Sequence, residues 1–470
     1  MNEKPLALLP EILLLVGAVA TLVCGSFLPR HRQGIAGVLS ALALAGSIAV
    51  AVVGRADQTV YDHTYAIDVA TSTARVAAPA AALMVIALAT ARVAGDRRQS
   101  EFYVLVLLAT LGAVLMAGAS DLILLAVGYL LATIPLYGLA GWGRDARGGE
   151  AALKLYLMGA LVGVIMLVGV SLLYAGAGGT GYRQLAAGLP AAPGGVVTVG
   201  IVAVLAGLMF KAGAAPVHFW VPDTVQGATT GAAALLTTVP KIGALIAAYR
   251  LVEVVPSGSG WPAFLAAVAA VTMVLGNFAA FGQTSVQRLL AYSTISQVGY
   301  LLMAVAVAGT GGRALPALLA YLIGYAVTNI GAFAVVAASP GRDTLDGYRG
   351  LARRRPMLAA ALVVCLLGLV GTPPTAVFVG KVAVFSAAWE GGLAWLVVLA
   401  AINTVASLYY YLRWLAPAFS AAPAASSEES KGHSSARAAS IVAACAGAGT
   451  VLAGTLGGLL VDMVSGTLVR

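Results

Sequence analysis

The stretch at residues 197–223, VTVGIVAVLAGLMFKAGAAPVHFWVPD, decides how this chain is built. It begins as an apolar run able to enter a bilayer, places Lys211 at the end of that run, and then breaks at Ala212-Gly213-Ala214-Ala215-Pro216 before resuming through His218, Trp220 and Pro222. Proline removes a backbone donor and clashes with the preceding turn, so the backbone groups around Pro216 need partners outside their own helix. In a membrane such irregular backbone is tolerated only where it is covered by protein or lines a polar cavity. A second stretch repeats the design. Residues 358–371 are apolar, Thr372-Pro373-Pro374 interrupts them, and Lys381 follows the break. Two Gly/Pro-interrupted segments in corresponding positions of two halves point to a transporter-like fold with its sites near the bilayer midplane.

The rest of the composition agrees with a membrane setting. The chain is 60% hydrophobic and 10% charged, whereas a soluble domain carries charge on roughly 25% of its residues. A spanning helix needs about 20 predominantly apolar residues, and about fourteen such stretches can be marked out. The expected fold class is therefore all-α, a polytopic membrane protein of about 14 transmembrane helices in two inverted five-helix repeats with proline-broken helices. Its expected divisions are three N-terminal helices in residues 1–100, a first repeat in 101–252, a second in 260–415, and a cytoplasmic linker with a final helix in 416–470. The first apolar run lacks a basic leader and a small-residue cleavage site, and reads as a retained span rather than a signal peptide. Cys24, Cys365 and Cys445 lie in apolar segments without paired spacing, which argues against a disulfide framework or a metal knuckle.

The net charge of +9 is a matter of topology rather than of nucleic acid. Arg30 and Arg32, then Arg92, Arg97 and Arg98, then Arg144 and Arg147, then Arg288, then Arg349 with Arg353 to Arg355, and finally Arg413, Lys431 and Arg437 fall in alternate loops. Basic loops face the cytoplasm, which puts both termini outside. The intervening loops are neutral or acidic, with Asp57, Asp62 and Asp68 in one and scattered arginines such as Arg183, Arg250 and Arg313 in others. Glu11 reads as an interfacial residue at the outer end of the first span.

Six lysines stand against twenty-one arginines, and Lys211, Lys241 and Lys381 sit inside apolar segments or at their broken ends. The two cations differ in one property that matters there: a desolvated ammonium can give up its proton, and a guanidinium cannot. A charge at mid-membrane costs about 3 kcal/mol on insertion scales, so unpaired lysines without a role should be rare. The expectation is a hydrated line of Lys211, Lys241 and Lys381 across the membrane, with His218 at the cytoplasmic side of the first break, along which a proton hops. Lys154 stands four residues after Glu150, an ordinary helix-surface ion-pair spacing. Tyr292 and Tyr300 could hydrogen-bond to water in the second half.

From Phe210-Lys211 through His218-Phe219-Trp220-Val221-Pro222-Asp223, Gln226-Gly227-Ala228 and Lys241-Ile242, the chain resembles the antiporter-like membrane subunits of bacterial NADH:quinone oxidoreductase, respiratory complex I, and among them subunit N. The resemblance resumes at Gly276-Asn277, Gln283-Thr284, Arg288 to Ser293, Gly299-Tyr300, Asp346 with Tyr348 to Leu351, Gly380-Lys381, and Ser407 to Arg413. It implies a membrane-arm subunit that couples electron transfer from NADH to quinone, ubiquinone or menaquinone, to proton translocation, in the bacterial inner membrane and beside other membrane-arm and peripheral-arm subunits. The same resemblance implies no cofactor in this chain, with FMN, iron–sulfur clusters and quinone in other subunits. The residues agree, since no Cys cluster or Gly-rich nucleotide loop is present in the sequence. The family position matching Lys154 carries lysine, which implies a supporting place in the proton path for it; Tyr292 and Tyr300 are supporting candidates through their hydroxyls alone.

The sequence departs from the family at a few places. Leu130 stands where a glutamate is usual, five residues before Pro135, and Asp121 lies about 13 Å away along a helix, too far to replace it. Gln297 stands near a position where relatives often carry histidine, and Thr229 and Gly231 replace prolines. These changes leave open a mainly structural subunit of a variant complex, or a cation/proton antiporter subunit.

Overall fold

The computed structural model describes residues 4–54, 57–256, 260–421 and 433–469. Residues 422–432, which hold Lys431 and most of the polar linker, lie outside the described residues. The chain opens with α1 (Leu9–Phe27) and α2 (Gly34–Val53), and a short antiparallel hairpin of β1 (Gln58–Val60) and β2 (Tyr65–Ile67) leads into α3 (Val69–Val93). There follow α4 (Gln99–Gly118), α5 (Leu122–Ala140), α6 (Ala146–Ala177), the short α7 (Tyr182–Gly188), α8 (Gly194–Ala212), α9 (Trp220–Gly227) and α10 (Thr230–Val254). The second half contains α11 (Trp261–Phe281), α12 (Val286–Ala306), α13 (Ala314–Ala337), the single turn α14 (Leu351–Arg354), α15 (Pro356–Val370), α16 (Ala376–Glu390) and α17 (Ala394–Phe419). The last helices are α18 (His433–Thr455) and α19 (Gly457–Met463).

Thirteen of these helices are long and apolar enough to cross a membrane. At 15 residues α15 falls short of that length, and α16, also 15 residues, follows it beyond the break at Gly371 to Thr375. The fold is all-α and polytopic, as expected. Acidic residues start several helices. Asp68, Asp121 and Asp145 accept hydrogen bonds from the first-turn amides of α3, α5 and α6, satisfying donors that a helix start leaves unpaired.

Burial is graded from the edge of the molecule to its centre. The apolar window of α10 is wholly enclosed by protein, and those of α12 and α13 nearly so, while most of α1 and α2 faces outward. α10 packs against α3, α4, α8 and α13, so the α10–α13 contact joins the two halves. Small residues permit this closeness: a Cβ on Gly243 would come within 2.3 Å of the Ala113 carbonyl oxygen on α4.

Two expectations about charged residues are corrected. Glu11 is not interfacial but buried, accepting from Arg75 Nε at 2.7 Å, Arg75 Nη2 at 2.8 Å and the Tyr65 hydroxyl at 2.6 Å. Arg250 belongs not to a loop but to the last turns of α10, where it donates to Asp68 Oδ1 at 2.6 Å, the Ala117 carbonyl at 2.6 Å and Thr71 Oγ1 at 2.9 Å. Both are near helix ends, and each has an opposite charge within reach across a helix interface, which offsets the cost of enclosing it.

Candidate functional site

A helix that stops inside a protein leaves its last carbonyls without amide partners, and its dipole concentrates negative partial charge there. Two such ends lie at the breaks of α8 and α15, and each is closed in the same manner. At the first, Gly213 takes the left-handed conformation (φ 82°). The amides of Gly213 and Ala214 turn back to Met209, Trp220 Nε1 donates to the Phe210 carbonyl at 3.0 Å, and Lys241 Nζ, from α10, donates to the Ala212 carbonyl. At the second, Gly371 is left-handed (φ 89°). Thr372 Oγ1 donates to Leu367 O at 3.0 Å, Gln297 Nε2 to Leu369 O at 2.6 Å, and Lys381 Nζ to Val370 O at 2.8 Å. The terminal carbonyl of each broken helix thus meets a lysine ammonium carried by another helix.

All three lysines are buried, Lys211 at 2%, Lys241 at 0% and Lys381 at 3% relative exposure. Among the described residues none of them has a carboxylate within 4.0 Å, and dipoles and aromatic faces take that place. Lys211 Nζ lies 3.4 Å from the Ala132 carbonyl and 5.0 Å from the Tyr129 ring centre. Lys381 Nζ sits 4.0 Å from the ring centre of Tyr300 and 3.3 Å from Thr404 Oγ1, which in turn donates to the Tyr300 hydroxyl at 3.3 Å. Both glycines make room for their ammonium: a Cβ on Gly213 would stand 3.2 Å from Lys241 Nζ, and one on Gly371 would stand 2.8 Å from Lys381 Cδ.

Polar side chains span the apolar interior between the breaks. Thr237, one turn before Lys241 on α10, accepts from the Tyr325 hydroxyl at its carbonyl (2.9 Å) and from Asn329 Nδ2 at its Oγ1 (2.9 Å). The Tyr325 hydroxyl is also 3.0 Å from Thr294 Oγ1 on α12. One turn further along α12, Gln297 accepts from the Tyr321 hydroxyl at 2.6 Å and donates into the second break. Hydrogen-bonding groups therefore lead from α10 through α13 and α12 to α15.

The expected site residues divide into three places. Lys211, Lys241 and His218 belong to the first break, where His218 is buried, its ring 4.6 Å from that of Phe219 and its Nδ1 without a partner among the described residues. Lys381 and Tyr300 belong to the second. Lys154 and Tyr292 belong to neither: Lys154 pairs with Glu150 at 2.6 Å and Asp223 at 2.7 Å, Asp223 pairs with Arg288 at 2.8 Å, and the Arg288 guanidinium lies 5.9 Å from the Tyr292 ring centre. Leu130 is 40% exposed on the outer side of α5, while its buried neighbour Tyr129 is the residue that faces Lys211. An acid restored at position 130 would thus point away from the lysine. Sequence reading missed Tyr321, Tyr325 and Asn329, although their spacing of four puts them on one face of α13. Gln297 was read as a loss, and it holds the second break.

Several known proteins are similar to this chain. Residues 119–407 match the family described as NADH:quinone oxidoreductase/Mrp antiporter, TM. NADH-quinone oxidoreductase subunit N of Mycobacterium sp. (strain JLS) is 54% identical over 418 residues, covering 88% of this chain and 89% of the relative. Subunit N 1 of Streptomyces griseus subsp. griseus is 55% identical over 423 residues, 89% of each chain. A chain of respiratory complex I from Thermus thermophilus, solved with bound aureothin, superposes with a TM-score of 0.85 at 33% identity, over 97% of this chain and 100% of its own. A chain of the Mrp complex from Dietzia sp. shares the fold at a TM-score of 0.85 and 23% identity, over 98% and 96% of the two chains. A family match across more than half of the chain, with relatives above half identity over nearly its whole length, settles the matter: the chain belongs to the NADH:quinone oxidoreductase/Mrp antiporter transmembrane family.

Proposed function

We propose that this chain works as subunit N of a complex I-type NADH-quinone oxidoreductase, a membrane-arm subunit that translocates protons while electrons pass from NADH to quinone in other subunits. The observation that carries this reading is the docking of two buried ammonium groups on the terminal carbonyls of two broken helices, with no carboxylate beside them among the described residues. A protonated lysine is held by the helix end. A neutral amine is not, and is free to accept the next proton from the hydroxyl and amide groups around it. Lys211, Lys241 and Lys381 are the titrating groups, His218 serves the first break from the cytoplasmic side, and Tyr300 supports Lys381. Lys154 and Tyr292 act further out, beside Asp223 and Arg288.

The molecule comprises two inverted five-helix units, 101–252 and 260–415, flanked by the N-terminal helices and the last span. By order of crossing, α8 is in the seventh and α15 in the twelfth, so the two breaks are entered from opposite faces. The chain lies in the bacterial inner membrane with both termini outside, beside other membrane-arm subunits and a peripheral arm that holds FMN and iron–sulfur clusters. Quinone-linked proton pumping by the assembled complex tests the reading. Lys211→Ala and Lys241→Ala are each expected to lower pumping with assembly intact, whereas unchanged pumping in either would remove the proton path and leave the chain a passive scaffold.

A further inference from the structure

We propose that Asp223 is a positioning residue that ties α9 to both halves of the molecule, so that a shift of the second half reaches the first break. The inference rests on the proton-path reading of the lysines. Asp223 lies in the first turn of α9, the eight-residue helix that follows the break, and α9 is wedged between α6 and α12. Its two carboxylate oxygens serve two different helices. Oδ2 accepts from Lys154 Nζ on α6 at 2.7 Å, and Oδ1 accepts from Arg288 Nη1 on α12 at 2.8 Å. Arg288 Nη1 also donates to Gln226 Oε1 on α9 at 3.0 Å, so the second half grips this helix at two points one turn apart.

What lies at either end of these contacts gives them a consequence. Beside Asp223 on α9, Trp220 donates to the end of α8, and the Val221 side chain sits against Gly213. A tilt of α9 therefore displaces the peptide groups that hold the Lys241 ammonium. Arg288 is in the first turn of α12, whose later turns carry Thr294, Gln297 and Tyr300, all engaged with the polar groups that lead to the second break. A helix moves as a rod, so displacement at Gln297 is felt at Arg288. The charges are only partly enclosed, with side-chain exposures of 29% for Asp223, 31% for Arg288 and 44% for Lys154. Fully buried pairs would cost too much to part. Partly hydrated ones are separable at modest cost, which suits a junction that must yield in each cycle.

The test uses the whole complex in native membranes, with Lys211→Ala as the benchmark. Asp223→Asn keeps the shape and removes the charge, and Arg288→Gln severs the link to the second half while leaving Lys154 on Asp223. Each is expected to lose as much pumping per NADH oxidised as Lys211→Ala loses. Asp223→Glu is expected to recover about half of the loss, and the Asp223→Asn/Arg288→Gln double variant to lose no more than either single one, because both cut the same link. Raised salt is expected to weaken pumping in the wild type and to change it less in Asp223→Asn, through screening of partly exposed charges. Wild-type pumping in Asp223→Asn or Arg288→Gln beside a defective Lys211→Ala overturns the inference and leaves the proton path standing. If Asp223→Asn fails to assemble, Arg288→Gln decides. An unaffected Lys211→Ala sinks the proton path itself.

Discussion

Lysine suits the two helix ends because its ammonium is a compact charge that can exist in two protonation states, whereas arginine keeps its charge throughout. Lys241→Arg is therefore expected to lower proton pumping as far as Lys241→Ala does, although it retains the positive charge. Pumping near the wild-type level in the arginine variant would show that charge alone suffices. Tyr129 and Leu130 offer a paired test on α5. Tyr129→Glu brings a carboxylate to the face of Lys211 and is expected to change the ratio of protons moved to electrons transferred, while Leu130→Glu puts its charge on the exposed outer side. There an acid in the hydrocarbon costs about 3 kcal/mol, so the expected effect is less inserted protein, read on immunoblots of membranes, with the ratio unchanged. Arg250 stands in contrast to the lysines as a fixed structural cation. Arg250→Met leaves Asp68 buried and unpaired, and is expected to destabilise the chain by about 3–5 kcal/mol, measured as a lower thermal midpoint in detergent.

At the scale of the element, the two breaks work because glycine stands where the chain turns left-handed and where no side chain fits. Alanine at a left-handed position costs about 1–2 kcal/mol from the backbone alone. At Gly371 its Cβ would also press on Lys381 at 2.8 Å, and at Gly213 it would press on Val221 at 2.9 Å. Gly95 provides the control, since it is left-handed (φ 78°) with no atom within 4 Å of a built Cβ. Gly371→Ala and Gly213→Ala are expected to lower pumping with every lysine in place, and Gly95→Ala to lose only a little stability and no pumping. Equal pumping in all three would deny the glycines any part in seating the ammonium groups. The location of both breaks was legible in the sequence, because proline and glycine interrupt an apolar run by plain steric rules. Their partners were not, since Lys241, Gln297 and Trp220 come to the carbonyls from elsewhere in the chain.

For the whole molecule, burial separates the helices by task. α10, α12 and α13 carry Lys241, Gln297, Tyr300, Tyr321 and Tyr325 and are almost fully enclosed, while α1 and α2 expose broad apolar faces to lipid or to neighbouring subunits. In the proposed topology the thirteen long apolar helices and the α15–α16 pair make an even number of crossings, and the arginine-rich loops lie inside, so both termini are expected outside. In a chain with Cys24, Cys365 and Cys445 changed to alanine, Ser465→Cys is expected to react with a membrane-impermeant maleimide added to spheroplasts, and Ala421→Cys only after lysis. The opposite pattern would invert the topology and exchange the faces from which the two breaks are reached.

Apolar length alone pointed to the polytopic membrane class, because the hydrocarbon thickness sets how many residues a span requires. The breaks and the three lysines follow from the sequence for the same kind of reason: each violates what lipid tolerates, and stands out against it. Which groups meet is a different matter. That Glu11 pairs with Arg75, Arg250 with Asp68, Asp223 with Arg288, and Lys241 with the end of α8 was decided by packing alone. These partners lie tens to hundreds of residues apart, and local periodicity fixes which face a side chain occupies without fixing what comes to rest against it.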